Sequence, residues 1–238
     1  LVRVMCTGRV DLELVLQAFA SGADGVFIGG CRLNECSYTT QGNYDALNMV
    51  LLSRRILEHI GLNPERLRIE FMSSGEGNRF AEIMNDFGKK VTELGPLGRG
   101  EGIDEAELKP KLTEVIKLVP YIKRVMNDKL GTRLYDQAEY DRFFTRNEID
   151  KLFNEVTSFY IDPQKCQACM ICARRCPVKA ITGGKNLIHI IDQEKCIKCG
   201  TCFEVCPARF SAVEKLSGKP VPPPIPEEAR IMVREANA

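Results

Sequence analysis

Over the first 95 residues, apolar positions alternate between two rhythms. LVRVM, residues 1–5, reads as a short strand ending at Cys6. Asp11 then caps a helix with Leu12, Val15, Leu16 and Phe19 on one face, stopped near Gly22. ADGVFIGG, residues 23–30, has the continuous apolar centre of a strand covered on both faces. Asn43 to Ile60 reads as a long helix ended by Gly61, and Asn63-Pro64 as a turn. LRIEFM, residues 67–72, is a third strand. Ser74 opens another helix with Phe80, Ile83, Met84, Phe87, Val91 and Leu94 at helical spacing, closed by Gly95-Pro96. Three strand–helix units in a row predict a parallel sheet with right-handed crossovers. The expectation is an α/β protein whose residues 1–97 form a small flavodoxin-like domain.

Residues 98–160 read differently: charged, helical and interrupted by Pro110 and Pro120. Thr145 and Glu148 make a capping-box pattern before Ile149, Leu152, Phe153 and Val156. This stretch is a helical connector. Residues 161–212 form a second, α+β domain. Residues 213–238 are an arm containing PVPPPIP, a composition that favours an extended polyproline conformation, either docked or solvated.

Charge changes this picture little. The chain has 238 residues, with 33 basic against 32 acidic side chains, so nothing in the total points to nucleic acid. No apolar run is long enough to span a bilayer. Cysteine changes it more. Eight of the 11 cysteines lie between Cys166 and Cys206, in an otherwise ordinary globular chain. That clustering points to metal binding in a reducing, cytoplasmic setting rather than to a disulfide scaffold.

CQACMICARRCP begins at Cys166 and CIKCGTCFEVCP begins at Cys196, and both read C-x2-C-x2-C-x3-C-P. Three thiolates at this spacing wrap three corners of a cubane, and the fourth reaches across to the other cluster. One 4Fe–4S cluster is therefore assigned to Cys166, Cys169, Cys172 and Cys206. The other is assigned to Cys196, Cys199, Cys202 and Cys176. Zinc also uses C-x2-C pairs but needs neither the triple spacing nor the trailing proline. Between Pro163 and Phe210, eight basic side chains face three acidic ones, a surplus expected to ease reduction of anionic clusters. His189, between the motifs, reads as a structural residue on a strand. The domain resembles bacterial-type two-cluster ferredoxins. HIIDQEKCIKCGTCFEVCP in particular looks like the ferredoxin extension of NADH-dehydrogenase-type flavoprotein subunits.

Cys6, Cys31 and Cys36 remain. Ligands gather at the carboxyl ends of strands in a parallel sheet, and these three could meet there. They could equally be free thiols, some buried as small hydrophobes. MCTGRVD, GADGVFIGGC with ECSY, GNYDA, and GLNPERLRIEFMSSGEGNRFAE with LGP resemble the delta subunit of methyl-viologen-reducing nickel–iron hydrogenases. The resemblance implies a 2Fe–2S cluster on Cys6, Cys31 and Cys36. Its fourth ligand would lie outside this sequence, on an upstream strand leading into a cysteine-rich motif that sometimes carries selenocysteine. The resemblance also implies partners. A hydrogenase, formate dehydrogenase or NADH-linked module would give electrons, and a heterodisulfide-reductase-type, electron-bifurcating flavoprotein would take them.

An active site is not legible. No G-x-G-x-x-G follows a strand, and no P-loop, H-E-x-x-H or nucleophile elbow occurs. GADGVFIGG is a loose phosphate cradle at best, and His59 lies in an ordinary helix. The expected function is that of a non-catalytic electron-transfer subunit in an anaerobe's oxidoreductase complex. The alternative is a catalytic fragment that binds flavin or a nucleotide.

Overall fold

The computed structural model describes residues 1–231. The chain forms two compact units, one over residues 1–151 and one from residue 152 onward. In the first unit, α1 (Leu12–Ala20) begins at Asp11, whose carboxylate accepts the Glu13 N–H. Its buried Leu12, Val15, Leu16 and Phe19 are the face the spacing predicts. β1 (Val26–Gly30) pairs in parallel with β2 (Leu67–Phe71), from Val26 against Leu67 to Gly30 against Phe71. Between them runs α2 (Asn43–Ile60), with Val50, Leu52, Ile56 and Leu57 fully buried. Burying each such side chain contributes about 1.5–3 kcal/mol. Gly61, at φ 94°, ends α2 in the left-handed conformation that glycine adopts without steric cost. α3 (Gly77–Leu94) follows β2.

Two sequence expectations differ from the structure. LVRVM is irregular, and Leu1, Val2 and Met5 are almost wholly exposed. The sheet of this unit has two strands among the described residues, not three. Strand propensity reflects packing against neighbours, and these exposed residues make too little packing to realise it. Nor do the prolines interrupt the connector: α4 (Glu105–Val125) runs through both Pro110 and Pro120. Each proline removes one helical hydrogen bond. Leu108, Leu112, Val115, Val119 and Ile122 offset that loss by forming a buried stripe, and α4 packs on α1. The connector up to residue 151 thus belongs to the first unit, whereas its residues 152–160 belong to the second, where a strand begins at Thr157.

Short helices α5 (Asn127–Leu130) and α6 (Tyr140–Phe143) continue the connector. Asn48 of α2, fully buried, donates from its amide to the carbonyls of Lys129, Leu130 and Thr132. In α7 (Arg146–Asn154) the capping box forms as expected. Glu148 N–H donates to Thr145 Oγ1 at 3.3 Å, and Thr145 N–H donates to Glu148 Oε2 at 3.5 Å.

The second unit is built twice over. β3 (Thr157–Ile161) pairs antiparallel with β6 (Val213–Ser217), and β4 (Ile181–Gly184) with β5 (Leu187–Ile191). The short helices α8 (Ile171–Arg175) and α9 (Thr201–Val205) pack against each other. Phe159, Ile161, Ile181 and Val213 form the core together with Cys166, Cys172 and Cys202. The arm lies along its own unit. Val221, Pro222, Pro224 and Ile225 face Tyr160, Ile188 and Ile190 across a narrow cleft. Buried Arg230 donates to the carbonyls of Ile188 and Thr182. The final stretch of the 213–238 arm, residues 232–238, lies outside the described residues.

Candidate iron–sulfur centres

The two cysteine loops of the second unit repeat one another in detail. Ile161-Asp-Pro-Gln-Lys-Cys166 and Ile191-Asp-Gln-Glu-Lys-Cys196 share an I-D-x-x-K-C frame. In each, the aspartate carboxylate caps the turn, accepting from Gln164 N–H at 2.8 Å or Glu194 N–H at 3.0 Å. In each, the first cysteine N–H donates to the aspartate carbonyl at 3.0 Å. The loops then pass through left-handed conformations at Ala168 and Met170, and at Lys198 and Gly200. A non-glycine residue held at positive φ is uncommon, and here it curls each loop around a centre. Cys176 and Cys206 leave their helices in matching extended conformations, φ −69°, ψ 117° and φ −67°, ψ 123°.

This geometry sorts the thiols. One small cleft is lined by Cys176, Cys196, Cys199 and Cys202 among Ile181, Ile191 and Phe159. Burial pushes the Cys172 thiol up to about 11, helped by its neighbours Cys166, Cys169 and Cys206. Burial likewise pushes Cys202 up to about 12, with Cys196, Cys199 and Cys172 adding to it. Cys196 is also raised, mainly by burial, with Cys176 among the thiols around it. The structure therefore brings Cys206 beside the first three-cysteine loop and Cys176 beside the second. Backbone N–H groups point at the sulfurs, from Ala180 to Cys176 at 3.3 Å and from Lys198 to Cys196 at 3.4 Å.

Such thiols are poor ligands until iron displaces their protons, which a bound metal does outright. Among the described residues, no three His, Cys, Asp or Glu side chains converge closely enough to hold one metal ion. The doubled C-x2-C-x2-C-x3-C-P spacing, with each loop joined by a cysteine from the other, is a donor set that fits 4Fe–4S clusters.

In the first unit, Cys6 precedes a single 3-10 turn, Thr7–Arg9, and Cys31 follows the carboxyl end of β1. Cys6 Sγ lies 3.9 Å from Cys36 Sγ, and the charges of Cys36 and Cys31 both act on Cys6. All are free thiols. Burial pushes Cys6 up. It would push Cys36 up too, but the N–H groups of Tyr38 and Asn43 outweigh it and hold that thiol below its usual range.

The frame around the three thiols is well tied. Buried Asn43 donates to the carbonyls of Cys31 and Arg32 at 2.9 and 2.8 Å. Tyr44 OH and Arg133 both donate to Asn34 Oδ1, at 2.8 and 3.0 Å. Glycine makes room. A Cβ on Gly42, at φ 64°, would sit 2.7 Å from Cys36 Sγ, and one on Gly8 would sit 2.5 Å from Gly42 O. Gly42→Ala is therefore expected to displace Cys36. Thiol-reactivity measurements and circular dichroism of the variant should show a changed Cys36 reactivity and intact secondary structure.

His189 is the residue that sequence reasoning undervalued. It lies on β5 as expected, but it is buried against Cys166. The I-D-x-x-K-C repeat was the available signal, because it aligns His189 with Phe159, a core residue of the other half. The other histidine, His59, contacts Asp150 at 2.8 Å in the first unit.

The eight thiols that the second unit gathers in two crossed sets define an iron–sulfur protein. Residues 1–95 match the family model described as methyl-viologen-reducing hydrogenase, delta subunit, and the chain belongs to that family. Residues 149–210 match the 4Fe-4S dicluster domain, and residues 191–238 match the 4Fe-4S single cluster domain of Ferredoxin I. An iron-sulfur subunit of the F420-non-reducing hydrogenase of Archaeoglobus profundus is 46% identical over 95 residues, 40% of this chain and 69% of that protein. One subunit of the ferredoxin/F420H2-dependent CoB-CoM heterodisulfide reductase of Methanosarcina acetivorans is 44% identical over 97 residues, 41% of this chain and 12% of that protein. The vhc iron-sulfur subunit of the F420-non-reducing hydrogenase of Methanococcus voltae is 42% identical over 96 residues, 40% of this chain and 66% of that protein. Among the described residues, no helix is long and apolar enough to cross a membrane.

Proposed function

We propose that the chain is an electron relay. Electrons would arrive from a hydrogenase, formate dehydrogenase or NADH-linked module and leave to a heterodisulfide-reductase-type flavoprotein, in a cytoplasmic, electron-bifurcating complex. The observation that carries this reading is the pairing of two thiol sets in the second unit with a third set in the first. In this reading Cys166, Cys169, Cys172 and Cys206 hold one 4Fe–4S cluster, and Cys196, Cys199, Cys202 and Cys176 hold the other. Cys6, Cys31 and Cys36 hold a 2Fe–2S cluster whose fourth donor comes from outside this sequence. Bound, the clusters would accept and release single electrons. The chain's own residues hold the thiols, donate N–H groups to the sulfurs and exclude water with Phe159, Ile181 and Ile191. The relatives support the choice of partners, since one matching segment belongs to a hydrogenase and another to a heterodisulfide reductase.

The test is anaerobic purification of the native assembly, followed by identification of its subunits and an optical spectrum of this chain. The expected result is a redox flavoprotein neighbour and no flavin on the chain itself. Flavin that stays with the isolated chain would favour the catalytic alternative.

A further inference from the structure

His189 sits between two sulfurs. Its Nδ1 is 3.7 Å from Cys166 Sγ and its Nε2 is 3.1 Å from Met170 Sδ. The side chain is 1% exposed, so neither nitrogen has bulk water as a partner. The ring lies over Gly183 of the neighbouring strand, where a Cβ would meet it at 2.1 Å. Any larger residue at 183 would push the imidazole out. The hairpin that carries both residues is held by Arg230, which bonds the carbonyls of Ile188 and Thr182 on its two strands.

The two sulfurs are unequal acceptors. A thioether accepts weakly, whereas a cluster-bound thiolate is anionic and draws a shorter, stronger hydrogen bond. The ring proton therefore belongs on Nδ1. A hydrogen bond to a ligand sulfur withdraws negative charge from the cluster, and the reduced cluster, which carries one more electron, gains more from it. Hydrogen bonds to the sulfurs are among the factors that set such potentials.

We propose that His189 is a positioning residue that donates Nδ1–H to Cys166 Sγ and thereby raises the reduction potential of the cluster held by Cys166, Cys169, Cys172 and Cys206. The proposal rests on the ligand reading above. In the step concerned, one electron from a one-electron reductant enters the cluster and the proton stays on the imidazole. The other cluster has no imidazole donor among the described residues: Cys196 receives its N–H from the Lys198 backbone. His189 would thus make the two halves of a near-symmetric domain unequal, setting the order in which they fill.

The chain has two histidines, His59 and His189, which makes the test clean. Full-length protein is grown on ¹⁵N-histidine, purified anaerobically and reduced with dithionite. Pulsed paramagnetic resonance should detect a histidine ¹⁵N coupling in the unaltered chain and in His59→Gln. It should be absent in His189→Asn. In redox titrations, His189→Leu should make reduction of one cluster roughly tenfold less favourable, a fall of about 59 mV for one electron, with the other cluster unchanged. His189→Asn keeps a donor near the Nδ1 position and should recover most of that shift. An unaltered chain without histidine nitrogen coupling overturns the proposal. So does a His189→Leu variant that keeps its iron and both potentials. If His189→Leu sheds iron, the coupling in the unaltered chain still decides. The ligand reading fails by a separate signal, Cys166→Ala leaving both clusters intact.

Discussion

Cys176→Ala is expected to remove the cluster on the Cys196 side and leave the one on the Cys166 side in place. The reason is the path of the chain. Pro177 biases Cys176 to an extended conformation, observed at φ −69°, ψ 117°, which carries the chain away from its own loop. Cys176 then lines the cleft shared with Cys196, Cys199 and Cys202 and takes an N–H from Ala180 at 3.3 Å. Paramagnetic resonance of the reduced variant should lose the signature of two coupled clusters and retain a single 4Fe–4S spectrum. Starting instead from Cys169→Ala, which should disable the first cluster, adding Cys176→Ala should abolish the remaining signal. A signal that survives unchanged in the double variant would sink the crossed assignment. Cys176→Ser, with a poorer ligand of similar size, guards against a folding effect.

Arg66→Met should destabilise the first unit by about 3–5 kcal/mol, the cost typical of removing one partner from a buried pair. Arg66 is wholly buried. Its guanidinium donates to both carboxylate oxygens of Glu101, at 2.6 and 3.0 Å, and to the carbonyls of Asp24, Gly95 and Leu94. Methionine fills most of the volume but leaves Glu101, whose side chain is 10% exposed, and the carbonyls without partners. Burial would push Glu101 up, but the Arg66 guanidinium and the Asn63 N–H outweigh it and hold its carboxyl below the usual range. A carboxylate depressed on folding contributes stability above its unfolded value, and that contribution is lost as pH falls through the folded value. The deficit of Arg66→Met should therefore be full near neutral pH and shrink in acid, where Glu101 is protonated. Denaturant titrations at both pH values measure it, and an equal deficit at both would contradict the account.

Elements bounded by caps were legible in the sequence. Asp11 and Gly61 mark real helix ends, and the Thr145–Glu148 box closes as written. Tertiary packing decided the rest. LVRVM has strand composition but stays exposed and unpacked, whereas α4 tolerates two prolines because its buried stripe packs on α1. The eight-cysteine motif was legible because cluster geometry dictates its spacing. The neighbours of the ligands were not. The contact of His189 with Cys166 depends on the pairing of β4 with β5 and on the space over Gly183. The proximity of Cys6 and Cys36, 30 residues apart, depends on Gly8 meeting Gly42.

The proposed relay requires three separate iron–sulfur centres on one chain. Mössbauer spectroscopy of the ⁵⁷Fe-labelled native protein, purified without oxygen and measured before and after reduction, tests it most directly. Two cubane subspectra and one 2Fe–2S subspectrum, all changing on reduction, are the predicted result. Iron confined to the second unit's cubanes, or zinc in place of iron, would contradict it.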